Sequence, residues 1–522
     1  MHGLNQARPG CSLATVPISA QPGVSHAVWP SGREAEGRRY SNSPPELQSH
    51  CHTADQGTNS PTRAGAVPVS LRDSISPLRM TSLLVPDNSL IEHEWSGPQL
   101  SFGLISNPKQ PAQGPRNEAW RFYAAYSFEF VRDYLRNIAA SQRDSLFLDP
   151  WNGSGSTTTA AWSQGFRAIG IDLNPAMNVI ATARVAKSGD VDQAMDIVRS
   201  SVRMAAVRAS VAPNDPLSTW FEKGTVGRIR AFERATVGRA CECMTGNGAV
   251  SAVLYLVMFR VLRHFVGPFL TSNPTWIRMP KNAPEEEKVK VLWSDLRIAF
   301  AQAAEAVRED VMSVRSDHSQ YGDVTPRLLH ANAKQIPLAA RSVDHVVSSP
   351  PYGTRIDYAV ATAVECAALG IPFGTTFDQL RSQLTGTTKV PASAASIGAE
   401  TVGEECFKFL QAVRSHPSRA SGTYYLKNWE TYFIDIAGSI SEVSRVLKRN
   451  GTCTLIVQDS FYKDIRAPIQ EIFVDICRQS GLLLLDRFDF PSKRNLAAIN
   501  KGSRRWRAQS IATESVLRFV KL

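Results

Sequence analysis

Cysteine is scarce in this chain: there are eight in 522 residues, and only Cys241 and Cys243 stand close together, with no second pair to match them. That pattern excludes a disulfide framework and argues against a zinc site, and it points to a reducing, intracellular compartment. Long apolar runs are also missing. The longest, residues 249–259, is interrupted by Ser251 and ends at Arg260, short of the roughly 20 residues that a bilayer span needs. No apolar signal core follows Met1, so a cytoplasmic protein with no membrane and no metal is expected. Negative charge is the third deficit. Lys and Arg number 58 against 47 Asp and Glu, a formal charge of +11, which favours a polyanionic partner, with nucleic acid as the default. At 43% hydrophobic residues the chain can build two or three packed domains.

Residues 1–95 are rich in Ser, Pro, Gly and Arg, lack helical or strand periodicity, and read as disordered. Met80 opens a more ordinary sequence, so either the natural start lies there or the segment is a genuine tail. Residues 96–215 carry an amphipathic pattern over 120–138, an apolar strand at 146–148, a Gly-rich loop, a helix through Gln164 and a second strand at 168–171. Together these make a βαβ unit. Residues 216–320 are mostly helical by pattern and too long for a simple crossover, hence an inserted subdomain. Its basic excess, including Arg278 and Lys281, makes it a candidate for phosphate contact and target recognition. Residues 321–370 resume the strand series at 343–348. A polar segment over 371–424 reads as a second insertion or a mobile loop, and strands at 452–458, 482–488 and 515–520 alternate with helices at 424–447 and 469–479 in residues 425–522. Strands alternating with helices predict an α/β sheet with helices on both faces.

Two stretches carry chemistry. The first is Asp149-Pro150-Trp151-Asn152-Gly153-Ser154-Gly155-Ser156, directly after a strand and before a helix, where glycines let the backbone turn tightly and approach a ligand. No Gly-Lys-Ser/Thr ending follows, which argues against a phosphate-gripping P-loop. Asp172 closes the second strand, where a carboxylate can accept from both ribose hydroxyls of a nucleoside cofactor. The second stretch is Ser349-Pro350-Pro351-Tyr352 at the end of the strand over 343–348. Successive prolines cannot continue a central strand, so they fix a rigid turn at the carboxyl edge of the sheet.

The two stretches together resemble the amino-methyltransferases that methylate exocyclic amines of nucleic-acid bases with S-adenosylmethionine. Their cofactor motif is Asp-Pro-Phe-x-Gly-Ser-Gly-Thr and their catalytic motif is Asp/Asn/Ser-Pro-Pro-Tyr/Phe/Trp. The resemblance covers roughly residues 115–190, 325–370 and 425–522 and departs at Trp151, Ser156 and Asn332, the last standing where the family carries an acidic residue. It implies a Rossmann-like methyltransferase sheet and a cofactor site of Tyr123, Ser127, Asp149, Pro150, Trp151, Gly153, Ser154, Gly155, Asp172 and Asn332. Phe122 falls on the same covering helix. The implied catalytic set is Ser349, Pro350, Pro351 and Tyr352. An exocyclic amine is delocalised into its ring and is a poor nucleophile. The Ser349 hydroxyl and the Pro350 carbonyl are assigned as acceptors that polarise its hydrogens, with Tyr352 stacking on the extruded base.

The partner implied is double-stranded DNA, with a cognate restriction nuclease or defence-system protein as a further partner. A serine in the first catalytic position leans towards cytosine N4, with adenine N6, tRNA guanine N2 and an inactive DNA-binding relative as the alternatives. Arg278, Arg355, Arg504, Arg505 and Arg507 are the candidate nucleic-acid contacts, the last three in a basic segment with Lys493, Arg494, Lys501 and an embedded Trp506. His345, flanked by Val343 and Val346, is read as a packed core residue. Because residues 1–79 carry too little apolar content to pack, their removal is expected to leave the melting temperature unchanged in a thermal denaturation comparison with the full chain.

Overall fold

The computed structural model describes residues 107–108, 126–137, 144–204, 209–240, 248–271, 276–313, 324–353, 356–389, 402–492 and 512–522. The expected tail over 1–95 lies outside them, as do Tyr123, Arg355, Arg504, Arg505 and Arg507.

Among the described residues, seven strands form one mixed sheet. β1 (Leu146–Asp149), β2 (Arg167–Asp172), β3 (Arg327–His330), β4 (Val343–Ser348) and β5 (Leu447–Gln458) run parallel. β9 (Ala512–Lys521) is inserted antiparallel between β5 and β8 (Leu482–Ser492), which gives the order β3-β2-β1-β4-β5-β9-β8. A short hairpin of β6 (Ser460–Tyr462) and β7 (Ile465–Ala467) stands apart. From β1 the chain moves outward through β2 to β3, then crosses back to lay β4 on the other side of β1. That reversal opens a crevice at the carboxyl ends of β1 and β4, where open α/β sheets take their ligands. The architecture is Rossmann-like α/β.

Alternation along the strands covers both faces of the sheet. Phe147 faces α1 (Phe128–Arg136) and α2 (Ser156–Ser163), in a core with Phe130, Tyr134 and Val347. Its neighbour Leu148 faces the opposite core, built on Ile171, Val346, Phe433, Ile436 and Phe473 from the helices Leu426–Val446 and Ile469–Gln479. His345 is buried, stacks on Phe147 at 5.0 Å and shares a hydrogen bond with the Thr452 hydroxyl at 2.8 Å. Burial pushes its pKa down to about 4, in keeping with a packed neutral ring.

The crossover from β2 to β3 carries α3 (Pro175–Arg184), α4 (Ser188–Val202), α5 (Lys223–Glu233), α6 (Gly248–Phe265) and α7 (Trp293–Ser313). The boundary expected at 215/216 runs through one continuous core. Ala176, Met177 and Val198 of the first two helices pack with Phe232, Val253, Leu256 and Phe300, and with Val360 and Val364 of the helices after β4. Apolar faces on α3 and α4 need partners, and the inserted helices supply them. The apolar run at 249–259 lies in α6, a helix long and apolar enough by length and composition to cross a membrane. Here Val250, Val253, Leu256, Val257 and Leu262 are buried in this helical core.

The segment 371–424, expected as a second insertion or a mobile loop, holds the helices Thr375–Gln383 and Glu404–Ser415. The second buries Cys406, Phe409, Leu410 and Val413, a spacing of one helix face that was present in the sequence. In the helical core, Phe232 stacks on Phe300 with ring centroids 4.3 Å apart, and neither ring is more than 2% exposed. Phe232→Ala is expected to lower stability by about 3–5 kcal/mol, read as a fall in the urea midpoint.

Candidate active site

A cleft opens at the switch point. Four chain segments wall it: the loop from Pro150 to Ser154, the end of β2 with Asp172 to Asn174, the turn of Ala331, Asn332 and Ala333 after β3, and Ser349 to Tyr352 after β4. Tyr126, Tyr358 and the strap of Gln383, Leu384 and Thr385 complete it. Two sequence motifs 200 residues apart in the chain thus face one volume because β1 and β4 are neighbours in the sheet.

The loop after β1 is shaped by contacts rather than by propensity alone. Gly155 adopts φ +85°, and a Cβ there would meet the Ala181 Cβ at 3.0 Å, so glycine is required both for the left-handed turn and for helix packing. The Gly153 amide donates to Asp172 Oδ2 at 2.8 Å and the Asn174 amide to Oδ1 at 2.7 Å. Burial raises the Asp172 pKa to about 6. Asn152 is 4% exposed and its Oδ1 accepts from the Thr158 hydroxyl, while its Nδ2, like the indole nitrogen of Trp151, meets no hydrogen-bond partner. Two buried donors behind the cleft loop thus lack an acceptor, and the Asn152 amide packs against Gly170 of β2.

Asp149 sits behind this loop at 1% exposure and does not line the cleft. It accepts from the Tyr126 hydroxyl at 3.2 Å, from the Trp151 amide at 3.1 Å and from the Ser348 hydroxyl, and burial raises its pKa. Thr157 adds a bond to the Val347 carbonyl at 3.1 Å. Asp149 thus ties the loop to the end of β4. The Ser127 hydroxyl caps α1 by accepting from the Phe130 amide at 3.0 Å, and it does not line the cleft. Gly155 likewise shapes the loop without lining the cleft. Tyr126, one residue before Ser127, is the side chain that reaches the cleft, and nothing in the spacing of that aromatic-rich stretch distinguished it from Tyr123.

Ser349, Pro350, Pro351 and Tyr352 stand together at the opposite wall. Their turn is held from three sides. The Tyr352 amide donates to the Tyr358 hydroxyl at 2.9 Å, the Tyr432 hydroxyl donates to the Pro351 carbonyl at 2.9 Å, and the Tyr352 hydroxyl donates to Glu514 Oε1 at 3.3 Å. Gly353 leaves no room for a side chain, since a Cβ would come within 2.5 Å of the Trp429 ring. The strap is clipped to the same region by Arg381, whose guanidinium donates to the buried Asp357 at 2.6 and 3.1 Å, with the Thr388 hydroxyl on the same carboxylate oxygen at 2.8 Å. This part of the wall was unforeseen, because Gln383 and Thr385 reach the cleft only through tertiary packing.

Asn332 lies in the cleft, with its Oδ1 accepting from the Lys334 amide at 2.9 Å, so its NH₂ is the group left to face a ligand. Arg278 does not join the site. Its guanidinium lies 5.6 Å from the Phe269 ring centre and donates to the Pro268 carbonyl at 2.8 Å. Among the described residues, no group of three or more His, Cys, Asp and Glu is placed to hold a metal ion.

No protein-family model and no curated protein matches the chain. Among solved structures, it is similar to an rRNA methyltransferase from Streptomyces viridochromogenes at 12% identity and a TM-score of 0.27, over 80% of this chain and 91% of that one. It is also similar to a SAM-dependent methyltransferase from Methanosarcina mazei at 10% identity and a TM-score of 0.23, over 73% and 94%. At these scores the similarity assigns neither substrate nor residue roles.

Asp172 accepts from ligand hydroxyls most strongly when ionised, and burial raises its pKa to about 6. Nucleoside-cofactor affinity is therefore expected to be full above pH 7 and to fall as the pH drops through 6. Asp172→Asn should weaken binding and flatten this dependence. Calorimetric titration at pH 5.5 and 7.5 checks it.

Proposed function

We propose that the protein transfers a methyl group from S-adenosylmethionine to an exocyclic amine of a nucleic-acid base, with cytosine N4 in double-stranded DNA as the leading substrate and adenine N6 as the second. The observation that carries this reading is the convergence of the Pro150–Ser154 loop, Asp172 and the Ser349–Tyr352 turn on one cleft. The residues fit the cofactor. Asp172 lines the cleft and suits its ribose hydroxyls, and the Asn332 amide suits an acceptor on the adenine edge. When bound, the cofactor supplies a methyl group already activated by its sulfonium.

The protein's own contribution is to bind and orient. Ser349 Oγ and the Pro350 carbonyl accept from the target amine and turn its lone pair towards the methyl group, while the Tyr352 ring face holds the extruded base. Pro351 fixes the turn, and its carbonyl is already taken by Tyr432. The basic excess of the chain supports a phosphate-bearing substrate, with Arg355, Arg504, Arg505 and Arg507 as proposed contacts.

The reading is tested by incubating the protein with labelled S-adenosylmethionine and unmethylated DNA, then identifying the labelled nucleoside after digestion. N4-methylcytosine is the expected product, label only in RNA would replace the substrate, and no label in either would overturn the reading. Ser349→Ala should lower the single-turnover rate on the order of 100-fold while leaving cofactor affinity unchanged, because the hydroxyl acts at the reacting nitrogen.

A further inference from the structure

The strap of Gln383, Leu384 and Thr385 walls the cleft and has no part in the reading above. Both of its flanks are tied to one buried carboxylate. Asp357 Oδ2 accepts from the Arg381 guanidinium on one side of the strap at 2.6 Å and from the Thr388 hydroxyl on the other at 2.8 Å, while Oδ1 accepts from the Val360 amide at 3.1 Å. Charge-assisted bonds of this kind hold their partners firmly. Between the two ties the chain packs on the Ser349–Tyr352 turn. Gly386 adopts φ +81°, and a Cβ there would meet the Tyr352 carbonyl oxygen at 3.3 Å and the Tyr358 ring at 3.8 Å. The strap is therefore fixed to the wall at which the reading above places the target base.

Gln383 ends the helix Thr375–Gln383 and is exposed at the cleft, and its carboxamide makes no hydrogen bond among the described residues. A helix end anchored two residues earlier by Arg381 thus brings a free amide to the wall of the base. A base whose exocyclic amine is held by Ser349 Oγ and the Pro350 carbonyl presents, on the same edge, the ring nitrogen next to that amine. In cytosine this is N3 and in adenine N1, and each is an acceptor, so its complement is a donor. The Tyr352 hydroxyl is committed to Glu514 and the Arg381 guanidinium to Asp357, whereas the Gln383 NH₂ is uncommitted.

We propose that Gln383 is a specificity-determining residue that reads the target base, its NH₂ donating to the ring nitrogen beside the amine to be methylated. The proposal rests on the function proposed above. An extruded base is read by hydrogen bonds to its Watson–Crick edge, and stacking on Tyr352 alone does not fix its rotation about the ring normal. A bond from Gln383 on the edge that carries the amine fixes that rotation, and so keeps the amine between Ser349 and the methyl group. Discrimination arises because a base without an acceptor at that position leaves the amide unpaired in the closed cleft.

The test uses the full chain and labelled S-adenosylmethionine in single turnover, on a duplex carrying the base that the parent protein labels. Gln383→Met keeps the length of the side chain, removes the donor, and should slow transfer on the order of 10-fold. Gln383→Glu sets an acceptor against an acceptor and should slow it on the order of 100-fold. A second duplex carries 3-deazacytosine at the labelled position, or 1-deazaadenine if adenine is the labelled base. That analogue removes the same bond from the side of the base, so Gln383→Met should cost nothing further there. A residue that merely supports the strap would slow both duplexes alike. Affinity for S-adenosylhomocysteine, measured by calorimetry, and the melting temperature should stay those of the parent. A full rate in Gln383→Glu, an equal loss from Gln383→Met on both duplexes, or a fall in S-adenosylhomocysteine affinity would overturn the proposal and leave the methyl transfer standing. A parent protein that labels no nucleic acid would instead remove the functional reading, and the proposal with it.

Discussion

The site depends first on a single buried carboxylate. Asp149 collects the Tyr126 and Ser348 hydroxyls and the Trp151 amide, and so couples the segment leading into α1, the loop after β1 and the last residue of β4. Hydrogen bonds to a charged acceptor in a low-dielectric interior are strong, and they are expensive to leave unmade. Removing any one partner would leave the others around an undercompensated group. The loop and the turn are therefore held in a fixed relation before any ligand enters, which is the preorganisation that a transfer between two bound molecules needs.

Around that link, the same economy recurs at the Ser349–Tyr352 turn. Prolines remove backbone donors, so the turn cannot be held by a strand ladder. Side-chain hydroxyls from Tyr358 and Tyr432 and the carboxylate of Glu514 hold it instead. Trp429 closes the space beside Gly353, and the Arg381–Asp357 pair brings the strap of the second insertion onto the same wall. The second insertion is thus part of the cleft, and the first is part of its supporting core. The helices from the β2–β3 crossover share buried residues with Val360 and Val364, a few positions after the turn.

The local elements of the parallel sheet were legible in the sequence. The strands at 146–148, 168–171 and 343–348 were placed within a residue of β1, β2 and β4, because buried parallel strands are short apolar runs bounded by glycine and proline. β5, β8 and β9 proved longer than read; the ends of β8 and β9 carry polar residues such as Ser492 and Thr513 that the neighbouring strand pairs regardless of composition. The helix Glu404–Ser415 was legible from its buried spacing, yet the flanking Gly and Thr content masked it. Pro150, Trp151, Gly153, Ser154, Asp172, Asn332 and the Ser349–Tyr352 turn were all found in the sequence and all line one cleft.

What the sequence determined by itself is therefore what depends on neighbours along the chain: strand and helix periodicity, the glycine turn after β1, and the rigid proline turn after β4. Only the tertiary structure decided that Asp149 turns inward as a tie, that Ser127 is spent on capping while Tyr126 reaches the cleft, and that Gln383 and Glu514 come to the site at all. The reason is physical. A residue type and its spacing fix a backbone conformation, whereas the direction a polar side chain takes is set by which partner becomes available to it when distant segments pack. Glu514 and Tyr352 are separated by 162 positions in the chain, and only the antiparallel insertion of β9 beside β5 makes them neighbours.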